Sequence, residues 1–309
     1  MSLVRKDYSF DEILEKLKNF IDYLYIYFPG KINNTDFRKY VTALEEIKNG
    51  NIDNNYLLYL PIIHKFIFLY DFIQDNSYID YNKDKFKLKL KELIKRDGNL
   101  PVEQDGKQKY NRELFEFSMA ARFATYFSHL VTNDNEKIIN ISDDCDVIVQ
   151  NEIGIECKYI NSLSKVRERL FEGVKQINQR VLNSKIKYGF VALDLSFLLN
   201  NFNGIMDLQQ DFQDVDQMLI TVRQQYQNLI IQEMRKIILK FINELWKKEE
   251  IEIKPSAILF QSYNYTFIEH EDKLIPVFYR ILDYVINPET SEENISDTQE
   301  IIRNLATGI

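Results

Sequence analysis

Residues 145–159, CDVIVQNEIGIECKY, carry the clearest structural pattern in the chain. Two short runs rich in β-branched residues, Asp146–Gln150 and Ile153–Ile160, stand on either side of a turn at Asn151–Glu152. This pattern predicts two strands joined as a hairpin. A hairpin implies a sheet, and the neighbouring segments indicate what covers it.

The hairpin separates charged from apolar side chains. Successive side chains of a strand point to opposite faces, so Glu156 and Lys158 share one face, while Cys157 lies on the apolar face. Asp146 is likewise out of phase with the apolar residues of its own run. The connection between the runs is short, so Asp146 is expected close to Glu156.

The segments around the hairpin alternate between helix and strand patterns. Apolar spacing of 3.6 residues predicts helices at Asn111–Leu130 and Leu163–Leu182, before and after the hairpin. Further strands are predicted at Lys137–Ile141, Tyr188–Leu195, Ser256–Gln261 and Ile275–Ile281. This order predicts an α/β fold with a mixed central sheet flanked by helices, and with helical N-terminal and C-terminal additions.

Three regions are expected along the chain. Residues 1–105 are predicted to form a helical accessory domain, bounded by a turn-rich segment. Residues 106–285 form the predicted core, with a long inserted helix at 207–248, and residues 286–309 form a polar tail with a short helix. The predicted accessory helices are Phe10–Phe28, Asp36–Lys48, Asn54–Ile73 and Asp84–Arg96.

Composition excludes several classes of protein. Two cysteines among 309 residues exclude a disulfide scaffold and a zinc cluster and favour a reducing, cytoplasmic setting. The most apolar run, Tyr56–Ile73, contains Lys65 and Asp71 and is too polar to span a membrane. The net charge of -8 is not that of a strongly basic nucleic-acid-binding protein, although local charge around a site matters more.

Asp146, Glu156 and Lys158 suit phosphodiester hydrolysis. Two neighbouring carboxylates can hold Mg²⁺, which prefers oxygen ligands, and the lysine can orient or deprotonate a water. Glu-x-Lys triplets also occur at 46–48, 252–254 and 271–273, but none of them directly follows an aspartate-bearing strand. The alternative interpretation is the solvated polar face of an ordinary sheet.

The flanking helices add further candidates. Glu113 and Glu116 lie in line with apolar residues of their helix, where a carboxylate is costly unless it is paired or binds a metal. A salt bridge is the alternative for either residue. In the following helix a largely basic line beside the buried stripe is suited to phosphate contact, or else is simply solvated. It consists of Lys165, Arg169, Gln176 and Arg180.

The chain resembles the PD-(D/E)xK, restriction-endonuclease-like nuclease superfamily. The resemblance lies in residues 113–123 (ELFEFSMAARF), 146–149 (DVIV), 155–159 (IECKY) and 173–177 (GVKQI). It implies a restriction-endonuclease-like core in which one or two Mg²⁺ or Mn²⁺ ions are bound. The implied metal ligands are Glu116, Asp146, Glu156 and the backbone carbonyl of Cys157, with Lys158 positioning the attacking water and Gln176 near the site.

The expected function is therefore that of a metal-dependent nuclease. The expected enzyme is a deoxyribonuclease that cuts double-stranded DNA internally, and the resemblance to this class implies restriction or another form of defence as its role. Cutting both strands would favour a homodimer or a partner subunit, and no membrane partner is expected. The alternatives are a catalytically inactive nucleic-acid-binding or scaffolding protein with a nuclease-like core, and a nuclease directed at RNA.

Overall fold

The computed structural model describes most of the predicted core and part of each flanking region. The described residues are 9–28, 37–51, 53–57, 59–74, 109–128, 139–140, 146–149, 152–206, 214–248, 250–270 and 273–307. The predicted helix Asp84–Arg96 and the predicted boundary at residue 105 lie outside them. Within these residues no helix combines the length and the apolar character that crossing a membrane requires.

The predicted hairpin is confirmed. Strands β2 (Val147–Val149) and β3 (Ile153–Tyr159) pair antiparallel with Val147 opposite Ile155. The short strand β1 (Ile139–Asn140) pairs with β2 on its other side. The sequence therefore predicted the local pairing as well as the strands.

The sheet is mixed, as expected for the predicted α/β class. Strand β4 (Tyr188–Asp194) runs parallel to β3, and β6 (Ala257–His270) runs parallel to β4. The short strand β5 (Gly204–Met206) pairs parallel with the far half of β6, and β7 (Lys273–Ile286) pairs antiparallel along all of β6. The order is β1-β2-β3-β4-β6-β5, with β7 on β6.

Two helices cover the sheet face that carries Glu156. Helix α6 (Val166–Leu182) packs on β3 and β4, and helix α7 (Val215–Trp246) packs on β6 and β7. Their apolar residues form one core with Val191 and Leu193 of β4. The charged face of the hairpin is therefore enclosed, and the interpretation as a solvated polar face is wrong.

Helix α5 (Lys109–Ser128) covers the opposite face. Phe115 and Met119 of α5 pack with Ile155 and Cys157 of β3, which is the apolar face predicted from the alternation. The C-terminal helix α8 (Glu292–Thr307) packs on α5 and β7, and its Ile302 is buried. The predicted short helix at Asp297–Leu305 is thus part of a longer one.

The N-terminal helices share a core with the sheet. Helices α1 (Phe10–Tyr27), α2 (Phe37–Lys48), α3 (Asn54–Leu57) and α4 (Leu60–Gln74) pack with one another, with α5 and with Tyr265 and Phe267 of β6. The predicted single helix Asn54–Ile73 is two helices. Pro61 has no backbone N–H to continue the hydrogen bonding of the preceding helix, and proline is tolerated in a first turn, so a new helix begins at Leu60.

Candidate active site on the hairpin

Asp146 lies where the sequence predicts it, beside the Glu-x-Lys triplet. Its carboxylate Oδ2 accepts a hydrogen bond from the backbone amide of Cys157, with an N···O distance of 2.8 Å. Asp146 immediately precedes β2, and continuing the pairing of Val147 with Ile155 places it opposite Glu156. The structure therefore brings a carboxylate from one strand to the middle of the triplet on the other.

Glu156 and Lys158 share one face of β3 and contact each other. The Lys158 Nζ lies 3.1 Å from Glu156 Oε2, and the two side chains are only 3% and 1% exposed. Buried charges are costly unless they are paired, so each of these groups depends on the other. The guanidinium of Arg180 also forms an ion pair with Glu156, through the carboxylate oxygen Oε1. This is a contact of opposite charges without hydrogen-bond geometry, since neither Glu156 Oε1 nor Arg180 Nη1 has a hydrogen-bond partner among the described residues.

Helix α6 supplies the other wall of this site. A Cβ built on Gly173 would lie 2.9 Å from Val191 Cγ1 and 3.5 Å from Lys158 Cε, so the absent side chain lets the helix approach β3 and β4. Gln176 stands one helical turn from both Gly173 and Arg180, and therefore on the same helix face. Its Oε1 is buried and has no hydrogen-bond partner among the described residues.

Glu116 is buried on α5, the helix that packs on β2 and β3. Its side chain is 5% exposed, which agrees with a carboxylate turned away from solvent. The side chain of Glu113 lies outside the described residues. Within the described part of the chain, no three His, Cys, Asp or Glu side chains are grouped closely enough to hold a metal ion. Glu116, Asp146 and Glu156 therefore do not form a ready three-carboxylate cage.

Cys157 has its side chain in the core, as the alternation predicts. The thiol is fully buried among the residues between α5 and the sheet, and it forms no disulfide. A buried thiol in apolar surroundings is inert, so Cys157 is no nucleophile. The predicted role of its backbone carbonyl as a metal ligand stays a prediction.

The predicted basic line divides into two parts. Lys165 pairs with Glu168 at 2.7 Å and Arg169 pairs with Glu172 at 2.8 Å, both one turn further along the chain. The hydrogen bond from Lys165 lowers the pKa of Glu168. These two positions are thus locally neutralised and outward-facing, whereas Arg180 turns into the site. Phosphate contact by Lys165, Arg169 and Arg180 stays a prediction.

A second buried polar cluster was not foreseen from the sequence. Lys65 of α4 forms an ion pair with Asp194 at the end of β4, with side-chain exposures of 1% and 0%. Asp194 also accepts hydrogen bonds from the amide and hydroxyl of Ser196, and the ammonium lies over the rings of Tyr159 and Tyr263. Lys65 was visible in the sequence as a charge within an apolar run, but its partner was not.

Further cations surround Tyr263. Burial would raise the pKa of this phenol, but the positive charges of Arg122, Arg280 and Lys65 bring it below the ordinary value. Burial and the neighbouring charge of Arg122 lower the pKa of Arg280 to about 9. The cluster joins α4, α5 and the β6–β7 hairpin, and it lies on the sheet face opposite Glu156. Polar and aromatic residues alternate at 262–267, and this pattern could have shown from the sequence that β6 continues through Tyr263.

Comparison with known proteins adds no relative. No protein-family model, no curated protein and no solved structure matches this chain. The sequence pattern and the geometry of the hairpin are therefore what supports any assignment of function.

Proposed function

We propose that this chain is a metal-dependent nuclease that hydrolyses phosphodiester bonds, with Asp146, Glu156 and Lys158 as its catalytic side chains. One observation carries the proposal: the Asp146 carboxylate is hydrogen-bonded to the backbone amide between Glu156 and Lys158. A carboxylate pair and a lysine on one hairpin is the arrangement that the resemblance to restriction-endonuclease-like nucleases implies. DNA is the proposed substrate, and restriction of foreign DNA is the proposed role.

The donors at this site suit a hard divalent cation. Asp146 and Glu156 would supply the carboxylate oxygens that Mg²⁺ and Mn²⁺ prefer. Glu116 belongs to α5, which covers the opposite face of the sheet, so it is not included among these donors. The buried amide oxygen of Gln176 lacks a hydrogen-bond partner among the described residues, and a bound cation or its water would satisfy it. The cation would lower the pKa of a bound water and stabilise charge on the phosphate.

Lys158 has two tasks in this proposal. Its ammonium neutralises Glu156 in the free protein, as the 3.1 Å contact indicates. With the phosphate bound, it would hold the attacking water by a hydrogen bond or stabilise the negative charge that develops on the phosphate. Its Cε lies close to Gly173 and its side chain is 3% exposed, so the ammonium is enclosed by protein.

A cleavage assay tests the proposal. Purified protein is incubated with linear duplex DNA, supercoiled plasmid, single-stranded DNA and RNA, in Mg²⁺, Mn²⁺ or EDTA. We expect metal-dependent cleavage of DNA, reduced about 100-fold or more by Lys158→Ala, because positioned proton-transfer groups contribute that much. Lys48→Ala is the matched control, since Lys48 belongs to a Glu-x-Lys triplet on an exposed helix surface.

Two results would reject the proposed deoxyribonuclease. No metal-dependent cleavage of any substrate would reject a nuclease, and cleavage of RNA alone would replace the substrate. Equal cleavage by wild type and Lys158→Ala would reject the site even if the activity were present.

A non-catalytic protein with a nuclease-like core is the second candidate. It is favoured by the partners of Glu156, whose two carboxylate oxygens face Lys158 and Arg180. Such a protein would bind nucleic acid without cleaving it. It would also fail to bind Mn²⁺ in calorimetry even with a DNA duplex present, whereas a nuclease would bind Mn²⁺ and lose that binding in Asp146→Ala.

A further inference from the structure

The Glu156 carboxylate is held between two cations of different exposure. Lys158 is 3% exposed and lies against Gly173, while Arg180 is 17% exposed and stands in the last turn of α6. Lys158 is therefore enclosed, and Arg180 has a path to solvent. If one cation leaves Glu156 when a ligand binds, Arg180 is the one that can move.

The charges of the site sum to zero before any ligand binds. Asp146 and Glu156 each carry one negative charge, and Lys158 and Arg180 each carry one positive charge. A divalent cation that enters this site is repelled by both side-chain cations, and the repulsion is strong where water is excluded. The guanidinium on Glu156 in particular occupies a carboxylate oxygen that a metal would use.

Arginine is well suited to exchange a carboxylate for a phosphate. Its planar guanidinium forms paired hydrogen bonds with either group, and it stays charged when it moves. A phosphate at the mouth of the site would offer Arg180 a second anionic partner. Release of Arg180 from Glu156 would then leave that carboxylate to the metal.

We propose that Arg180 is a positioning residue that exchanges between Glu156 and a phosphate of the nucleic acid, so that metal and nucleic acid bind cooperatively. This inference rests on the proposed nuclease function. Metal binding to the free protein is opposed by the Arg180–Glu156 ion pair, and nucleic acid relieves the opposition. By linkage, bound metal strengthens nucleic-acid binding by the same factor.

The test is calorimetric titration with Mn²⁺ of the full chain, alone and with a short phosphorothioate DNA duplex that resists cleavage. We expect Arg180→Gln to bind Mn²⁺ at least about fivefold more tightly than wild type in the absence of duplex, within the usual range of coupling between sites. The duplex should raise the Mn²⁺ affinity of wild type and leave that of Arg180→Gln unchanged.

Two controls separate charge from structure. Arg180→Lys keeps the positive charge and should bind Mn²⁺ as wild type does. Arg167→Gln removes an arginine from the same helix that pairs with exposed Glu244, and it should also bind as wild type does. Equal Mn²⁺ affinities of wild type and Arg180→Gln would overturn the proposal.

If a variant does not fold, the titration of wild type alone still tests whether metal and nucleic acid bind cooperatively. An Mn²⁺ affinity that is the same with and without duplex overturns the cooperative binding. The cleavage assay remains a separate measurement. If the protein cleaves DNA but its Mn²⁺ affinity is the same with and without duplex, only the role of Arg180 is rejected. If the duplex changes the Mn²⁺ affinity but no DNA is cleaved, only the proposed nuclease activity is rejected.

Discussion

Lys65 and Asp194 show at the scale of single residues how this chain uses buried charge. Each group is almost completely withdrawn from water, and each is satisfied by the other, by Ser196 and by aromatic rings. Glu156 and Lys158 form a comparable pair on the opposite sheet face. Removing one partner of such a pair leaves an uncompensated buried charge, and this costs more than the pair itself contributes.

Lys65→Met is therefore expected to lower the free energy of unfolding by about 3–5 kcal/mol. The double variant Lys65→Met with Asp194→Asn should lose less unfolding free energy than the sum of the losses of the two single variants, because it removes both charges. Urea denaturation of the four proteins measures this. Strictly additive losses would show that the two side chains do not depend on each other.

At the scale of elements, the close approach of α6 to the sheet defines the candidate site. Gly173 permits this approach, and the helix then carries Gln176 and Arg180 towards β3. Alternating and 3.6-residue patterns predicted α5, β2, β3, α6 and β4, because both patterns are local. They did not specify that Arg180 meets Glu156, because the facing partner of a side chain is not encoded in the spacing of its own element.

Gly173→Ala is expected to destabilise the protein by about 1–3 kcal/mol, although alanine favours helices by about 1 kcal/mol. The reason is the 2.9 Å approach of the new Cβ to Val191 Cγ1. Val191→Ala removes that atom, so Gly173→Ala should lower the free energy of unfolding by less in a protein that already carries Val191→Ala. Thermal and urea unfolding of wild type, the two single variants and the double variant measure how far the two substitutions depend on each other. A Gly173→Ala protein more stable than wild type would contradict the steric argument.

At the scale of the whole molecule, the N-terminal helices and the sheet form a continuous structure. His64 of α4 lies against the rings of Tyr263, Tyr265 and Phe278 from the β6–β7 hairpin. The length of this hairpin was underestimated from the sequence. The predicted strand Ser256–Gln261 covers only the beginning of β6, and the predicted strand Ile275–Ile281 covers only the middle of β7, although each strand has 14 residues. Tertiary burial, more than apolar content, extends them.

This arrangement predicts an acid-sensitive stability. Burial, and then the charges of Arg122, Arg280 and Lys65, lower the pKa of His64 from 6.5 to about 3. Below pH 6.5 the imidazole of His64 takes up a proton in the unfolded chain but not in the folded protein. The contribution of neutral His64 to the free energy of unfolding is therefore complete above pH 6.5 and is lost as the pH falls towards 3.

Relative to a His64→Gln variant, wild type should lose up to about 1.4 kcal/mol of unfolding free energy per pH unit in this window. Urea unfolding at several pH values compares the two proteins. Parallel pH profiles would show that His64 is protonated in the folded state as readily as in the unfolded chain.

The ion pair between Lys65 and Asp194 also constrains the order of events during synthesis. Its partners are 129 positions apart, and the N-terminal core further requires Tyr265 and Phe267 of β6. The first helices thus emerge from the ribosome long before the residues that complete their core. Until β6 has been translated, their apolar surfaces stay open to chaperones and proteases, and contacts at such separation form slowly. Expression yield would then depend on how quickly translation reaches β6.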